Sequence, residues 1–166
     1  MLDQIQKQLY NYTTHNDFIQ DIVSKGINYV NNNSLGLMIL KYDKNNSNCN
    51  LNDNFTRYCR GLIIEKESRR IVCCPPEKSS NFTNLIPLIM EHDNKWENVT
   101  IENFIDGTMI NVFYYDGKWN IATRSRIGAN CRWLGKKTFS EMFEEASNRF
   151  DFNCLDSNYC YSFVLK

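Results

Sequence analysis

The chain has 166 residues, 42% hydrophobic and 13% aromatic, enough for one ordinary hydrophobic core and the size of a single domain. Its 19 lysines and arginines balance 19 aspartates and glutamates, so no overall field draws it to nucleic acid or to an anionic membrane, and such binding must come from a local patch. No apolar run of about 18 residues and no leader pattern occurs, since "MLDQIQKQLYNY" is polar at every second or third position; a soluble, cytoplasmic protein with no membrane partner is expected.

In chain order, Phe18, Ile19, Ile22 and Val23 recur at helical spacing behind Asn16, an expected N-cap, and stop at Gly26, which predicts a helix lying on a sheet. "SLGLMILKYDK" (34–44) reads as a strand and "NNSNCNLNDN" (45–54) as a polar loop. Leu62 to Ile64 and Ile71 to Cys74 flank a polar turn at Glu67-Ser68 and end at Pro75-Pro76, the pattern of a β-hairpin. Arg69 and Arg70 fall in that turn and are expected to be solvated. A second hairpin is centred on Asp116-Gly117, the pair that supplies the positive φ values of a type I′ turn.

Thr138 with Glu141 three residues on has the pattern of a capping box. Behind it Phe139, Met142, Phe143, Ala146 and Phe150 fall on one helical face, which reads as core. "NYCYSFVLK" then reads as a strand. The sum is an α+β fold of antiparallel hairpins packed with helices. The seven cysteines, Cys49, Cys59, Cys73, Cys74, Cys131, Cys154 and Cys160, form no C-x-x-C pair and have two histidines for company, so reduced thiols filling the core are expected and a zinc site is not.

The best local basic patch is Arg124, Arg126, Arg132, Lys136 and Lys137 around Trp133. Charge interleaved with an aromatic face suits single-stranded nucleic acid, although a solvated face has the same composition.

Three stretches in this order, "CRGLIIEKESRRIVCCPPEKSSNF", "FIDGTMINVF" with "WNIATRSRIGAN", and "YCYSFVLK", resemble the ATP-dependent RNA ligases of phages and large DNA viruses, within the covalent nucleotidyltransferase superfamily. The resemblance covers roughly Leu35 to Lys166. It implies the N-terminal part of a nucleotidyltransferase domain, ATP and magnesium as cofactors, and RNA as a partner. In that family the lysine of K-x-D-G attacks the α-phosphate of ATP to form a lysine–AMP intermediate. The matching positions here read Phe104, Asp106 and Gly107, with Phe104 where the lysine would be. A phenyl ring has no lone pair for phosphorus, so Phe104 is expected to fill the space of the lost nucleophile as a core residue. The glycine is expected to allow a turn at the strand entrance.

By the same resemblance Arg60 and Lys78 match positions facing nucleotide phosphates, and Arg60, Lys78 and Asp106 are expected to line one cleft. Ser162 stands where the family has a glutamate, and the chain ends before the family's later motifs. A degenerate, catalytically inactive RNA ligase-like domain that retains nucleotide or RNA binding is the leading expectation. A structural or interaction protein reusing the fold, and a ligase fragment completed by another chain, are the alternatives. The final strand, if it lies at a sheet edge, is expected to be covered by a protein partner or by a second copy.

Overall fold

The computed structural model describes residues 2–79, 83, 87, 90, 100, 102–132 and 134–166. Its fold is α+β, built on two antiparallel sheets. The first carries β1 (Ile27–Asn32), β2 (Leu37–Tyr42), β3 (Arg60–Glu65) and β4 (Ile71–Cys73) in sequence order. The second places β5 (Thr108–Tyr115) between β6 (Lys118–Thr123) and β7 (Tyr161–Leu165).

Side-chain alternation explains the layering. Along β2 and β3 the apolar run is unbroken, so both faces of the first sheet find cover. Met38, Leu40, Leu62 and Ile64 pack with Ile5 and Leu9 of α1 (Leu2–Tyr10), Phe18 and Ile22 of α2 (His15–Ser24) and Phe55 of α3 (Asn54–Tyr58). Leu37, Ile39 and Ile63 point the other way and meet Phe113, Ala122 and Ile127 of the second sheet and the loop after it. The far face of that sheet, Ile110 and Val112, packs with Phe143 of α4 (Phe139–Ala146). Helices, sheet, sheet and helix thus form four successive layers.

Several sequence expectations hold and others are corrected. Asp116 and Gly117 have φ values of 52° and 74°, and Tyr115 pairs with Lys118, as the type I′ turn requires. The β3–β4 hairpin is present. Thr138 and Glu141 form the reciprocal capping box of α4. That helix ends at Ala146, so Phe150 lies beyond it; its ring joins the same apolar layer by packing on Phe152 and Phe163. For α2 the N-cap is Thr14, whose hydroxyl accepts from the Asp17 N–H at 3.1 Å, in place of the expected Asn16. Both β1 and the helices α1 and α3 escaped the sequence reading, because they are short and buried on few residues each.

Arg69 also departs from expectation. It sits in the β3–β4 turn at φ 60°, and its guanidinium donates to the carbonyls of Leu9 at 3.0 Å and Tyr12 at 2.7 Å. Those are C-terminal carbonyls of α1 and its following loop, which lack intrahelical donors, so the arginine closes the helix rather than decorating a turn. Gln6 clamps the same turn, donating to the Arg69 carbonyl and accepting from the Ile71 N–H. Arg70 behaves as a turn residue and pairs with Glu65 at 2.6 Å.

Replacing Arg69 with alanine removes two charge-assisted hydrogen bonds and is expected to cost about 2 kcal/mol. Urea denaturation reads the loss, and hydrogen exchange should place it in α1 ahead of either sheet.

Candidate functional site

Two glycines build a cleft at one end of the layered sheets. In the first, Lys41 pairs with Arg60 while Leu40 pairs with Leu62, so Gly61 is an extra residue, a β-bulge that re-aims the start of β3. Gly61 has φ +102°, and a Cβ on it would lie 3.1 Å from Arg124 Cα and 3.2 Å from the Arg124 carbonyl oxygen. Only glycine allows both this dihedral and this backbone approach. The arginine-glycine pair thereby brings Arg60 beside the loop that follows β6.

Gly107 is required for a different reason from the expected turn. It is not among the positive-φ glycines. A Cβ there would lie 2.5 Å from the Leu165 carbonyl oxygen and 2.8 Å from Val164 Cγ1, so the entrance of β5 is pressed against the end of β7.

The loop after β6 folds back on itself. The Thr123 hydroxyl accepts from the N–H groups of Ser125 and Arg126 at 3.3 and 3.1 Å, and Gly128 N–H bonds the Ile121 carbonyl at 2.7 Å. This turn aims Arg124 over the ring of Tyr42, 5.9 Å from guanidinium carbon to centroid, which holds the cation in place without neutralising it.

The resulting cleft, about 390 Å³, gathers the guanidinium-bearing residues Arg60, Arg124 and Arg132 with Gly107 and the hydroxyls of Thr108, Thr123 and Ser125. No carboxylate is among its described lining residues, and no ion pair among the described residues uses these three arginines. Arg60 Nε is buried and has no hydrogen-bond partner among them. Guanidinium groups outside any ion pair among the described residues, set with hydroxyls around an open hollow, suit an anion, with phosphate the natural match for arginine.

A second hollow of about 570 Å³ shares Thr108 and Phe139 with the first and is lined further on by Lys136, Lys137, Leu134, Met142 and Leu165. Together they make one groove, basic at both ends and apolar between. Lys137 is partly committed, because its ammonium pairs with Glu145 at 2.6 Å.

The expected site residues therefore divide. Arg60, Gly107, Arg124 and Arg132 line the first hollow, and Lys136 and Lys137 the second. Arg126 faces a separate polar hollow with Asn31, Asn32, Asn33 and Asn130. Asp106 is exposed, one residue before the cleft lining. Lys78 is not among the described lining residues; its N–H bonds the Arg57 carbonyl at 3.1 Å and its ammonium the Ser79 carbonyl at 2.8 Å. Trp133 lies outside the described residues.

Phe104 corrects the expectation of a core residue, being 92% exposed. Residues 102–107 run into β5 without regular structure, and no described element packs over the ring. The hydroxyls of Thr123 and Ser125 were missed in the sequence, where their interleaving with arginines in "TRSR" was the available signal.

Comparison with known proteins gives the chemistry a context. No family model matches, and no solved structure matches. A provisionally named bifunctional polynucleotide kinase/RNA ligase of Autographa californica nuclear polyhedrosis virus is 28% identical over 116 residues, 63% of this chain and 17% of that protein. A provisionally named RNA ligase of African swine fever virus is 26% identical over 136 residues, 67% of this chain and 29% of that protein. The chain is similar to viral RNA ligase-like proteins. It spans less than a third of the length of these relatives. Among the described residues no helix is long and apolar enough to cross a membrane, and no group of three histidine, cysteine, aspartate or glutamate residues could hold a metal ion.

Gly61→Ala is expected to destabilise by about 1–3 kcal/mol, since alanine at positive φ is strained and its methyl meets the Arg124 backbone. The thermal midpoint measures this. Arg60→Ala, which leaves the bulge intact, should change stability far less.

Proposed function

We propose that this chain is an RNA ligase-like nucleotidyltransferase domain that has lost self-adenylylation and keeps a phosphate-binding groove for RNA or a nucleotide. The observation that carries the reading is the convergence of Arg60, Arg124 and Arg132 on one hollow with no carboxylate among its described lining residues. Similarity to viral RNA ligase-like proteins supports the class of ligand.

In the family mechanism the motif lysine supplies the nucleophile, and ATP with magnesium supplies the activated phosphoryl group. Phe104 stands at the matching position and has no nucleophilic atom. What the remaining residues do is electrostatic. Guanidinium groups bind phosphate oxygens bidentately, hydroxyls of Thr108 and Ser125 donate to the others, and the apolar stretch around Phe139 and Leu134 takes a base or sugar face. The same donors would hold an ATP triphosphate. For its magnesium, the carboxylate closest in sequence to the lining is Asp106.

Incubation with α-labelled ATP and magnesium or manganese is expected to leave no label on the denatured protein. A phosphoamide-bonded AMP on any lysine, mapped by mass spectrometry, overturns the inactive reading. Phe104→Lys alone is expected to leave activity absent. Fluorescence anisotropy with a short single-stranded RNA should show binding that weakens with salt. Arg124→Ala and Arg132→Ala should each lower the log–log salt slope by about 1, the signature of one lost phosphate contact. Binding that ignores both substitutions removes the groove from the account.

A second reading, a protein-interaction role, is favoured by one observation. Among the described residues β7 pairs with β5 alone, which leaves its other edge open, and Val164 on it is 47% exposed. An open edge is a template for strand addition by a partner or a second copy. Sedimentation velocity at micromolar concentration tests the second-copy form, with a dimer expected and a clean monomer counting against it.

A further inference from the structure

Cys73 and Cys160 are 87 residues apart in the chain, yet both lie at the apolar cluster where the two sheets face each other. Cys73 ends β4 and is buried. Cys160 immediately precedes β7, is half-buried, and packs against the same apolar cluster. Cys160 thus packs on the cluster that holds Cys73, and its thiol donates to the carbonyl of the adjacent Cys74 at 3.3 Å.

The other cysteines lack this arrangement. Cys59 is fully buried in the first-sheet core, and Cys154 is exposed. Cys74 shows Cys160 its carbonyl, while its own thiol faces the Pro75 carbonyl at 3.7 Å.

We propose that Cys73 and Cys160 form an oxidation site, a thiol pair that closes to a disulfide under hydrogen peroxide and ties β4 of one sheet to β7 of the other. The geometry assigns the roles. Cys160 is the more accessible sulfur and the one whose thiolate is stabilised, by the Cys73 thiol and nearby backbone N–H groups, to about 6. Cys73 is held protonated, its pKa raised by donation to Cys160 and by burial, and so acts second.

The Cys160 thiolate attacks one peroxide oxygen. An S–O bond forms, the O–O bond breaks, and hydroxide leaves to become water on taking a proton. The Cys73 sulfur then attacks the sulfenic sulfur. An S–S bond forms, the S–O bond breaks, and the departing hydroxide takes the Cys73 proton as a second water. Two thiols and one peroxide become one disulfide and two waters, the sulfurs oxidised and the peroxide oxygens reduced.

The thiol pair lies apart from the described lining of the groove. Both cysteines already lie at one cluster between the sheets. Because the bridge would span most of the second sheet and α4, it should also restrain the unfolded chain strongly.

The test treats the full chain with hydrogen peroxide and maps non-reduced peptides. The expected product is one cross-linked species joining the Cys73 and Cys160 peptides, two hydrogens lighter than their sum, with a raised melting midpoint that dithiothreitol reverses. Cys160→Ser should abolish both the cross-link and the midpoint shift. Cys73→Ala should leave a sulfenic acid on Cys160 that dimedone traps. A link to Cys74, a link between two chains only, or unmodified Cys160 beside oxidised Cys154 would overturn the proposal. Should Cys73→Ala fail to fold, the conservative Cys73→Ser in the same assay decides.

Discussion

The packing of one β-sheet on another through Leu37, Ile39, Ile63 and Phe113 is the contact on which the rest of the structure depends. A sheet normally needs apolar residues on one face, with polar residues opposite. Here β2 and β3 are apolar on both, because one face is taken by the helices α1, α2 and α3 and the other by the second sheet. Alternate residues of a single strand therefore belong to different cores, Leu62 and Ile64 to one and Ile63 to the other. A one-residue slip would exchange the two sets, which fixes the register of β2 on β3 tightly.

The sheet contact leads directly to the site. Where the sheets meet at one end, the backbone at Gly61 lies against Arg124 and the backbone at Gly107 against β7. Both approaches forbid a side chain, and both set arginines or hydroxyls at the rim of a common hollow. The glycines of the arginine-glycine and aspartate-glycine pairs are thus explained by packing distance. Positive charge collects in the hollow of Arg60, Arg124 and Arg132 because no carboxylate is among its described lining residues. A chain with no net charge still presents a cationic groove.

On the proposed reading, the same scaffold separates binding from chemistry. Phosphate recognition needs fixed donors, and the bulge, the Thr123 turn and the Tyr42 ring fix them. Covalent transfer needs in addition a nucleophile at the entrance of β5, where Phe104 projects into solvent. On that reading a phenylalanine at the nucleophile position would remove the second function and leave the first in place, since no donor of the groove depends on that side chain.

Local chemistry was legible in the sequence where neighbouring residues decide it. The Asp116-Gly117 turn, the Thr138–Glu141 capping box, the β3–β4 hairpin and the final strand follow from φ preference, cap reciprocity and alternation, all properties of adjacent residues. The α+β class follows from their sum. Short elements such as α1, α3 and β1 were not legible, because each contributes one or two buried residues and owes its order to the surfaces it covers. The capping of α1 by Arg69, sixty residues away from Leu9, has no local signature at all. The site shows the same division. Its residue types stood in the sequence as an arginine-glycine pair, an aspartate-glycine pair and a run of arginines. Which arginines converge, that Arg126 lines a separate hollow, and that Cys160 packs on the cluster holding Cys73 were decided only when two sheets came into contact. Sequence specifies the turn of a backbone, whereas the distance between two strands that never neighbour each other in the chain is set by what packs between them.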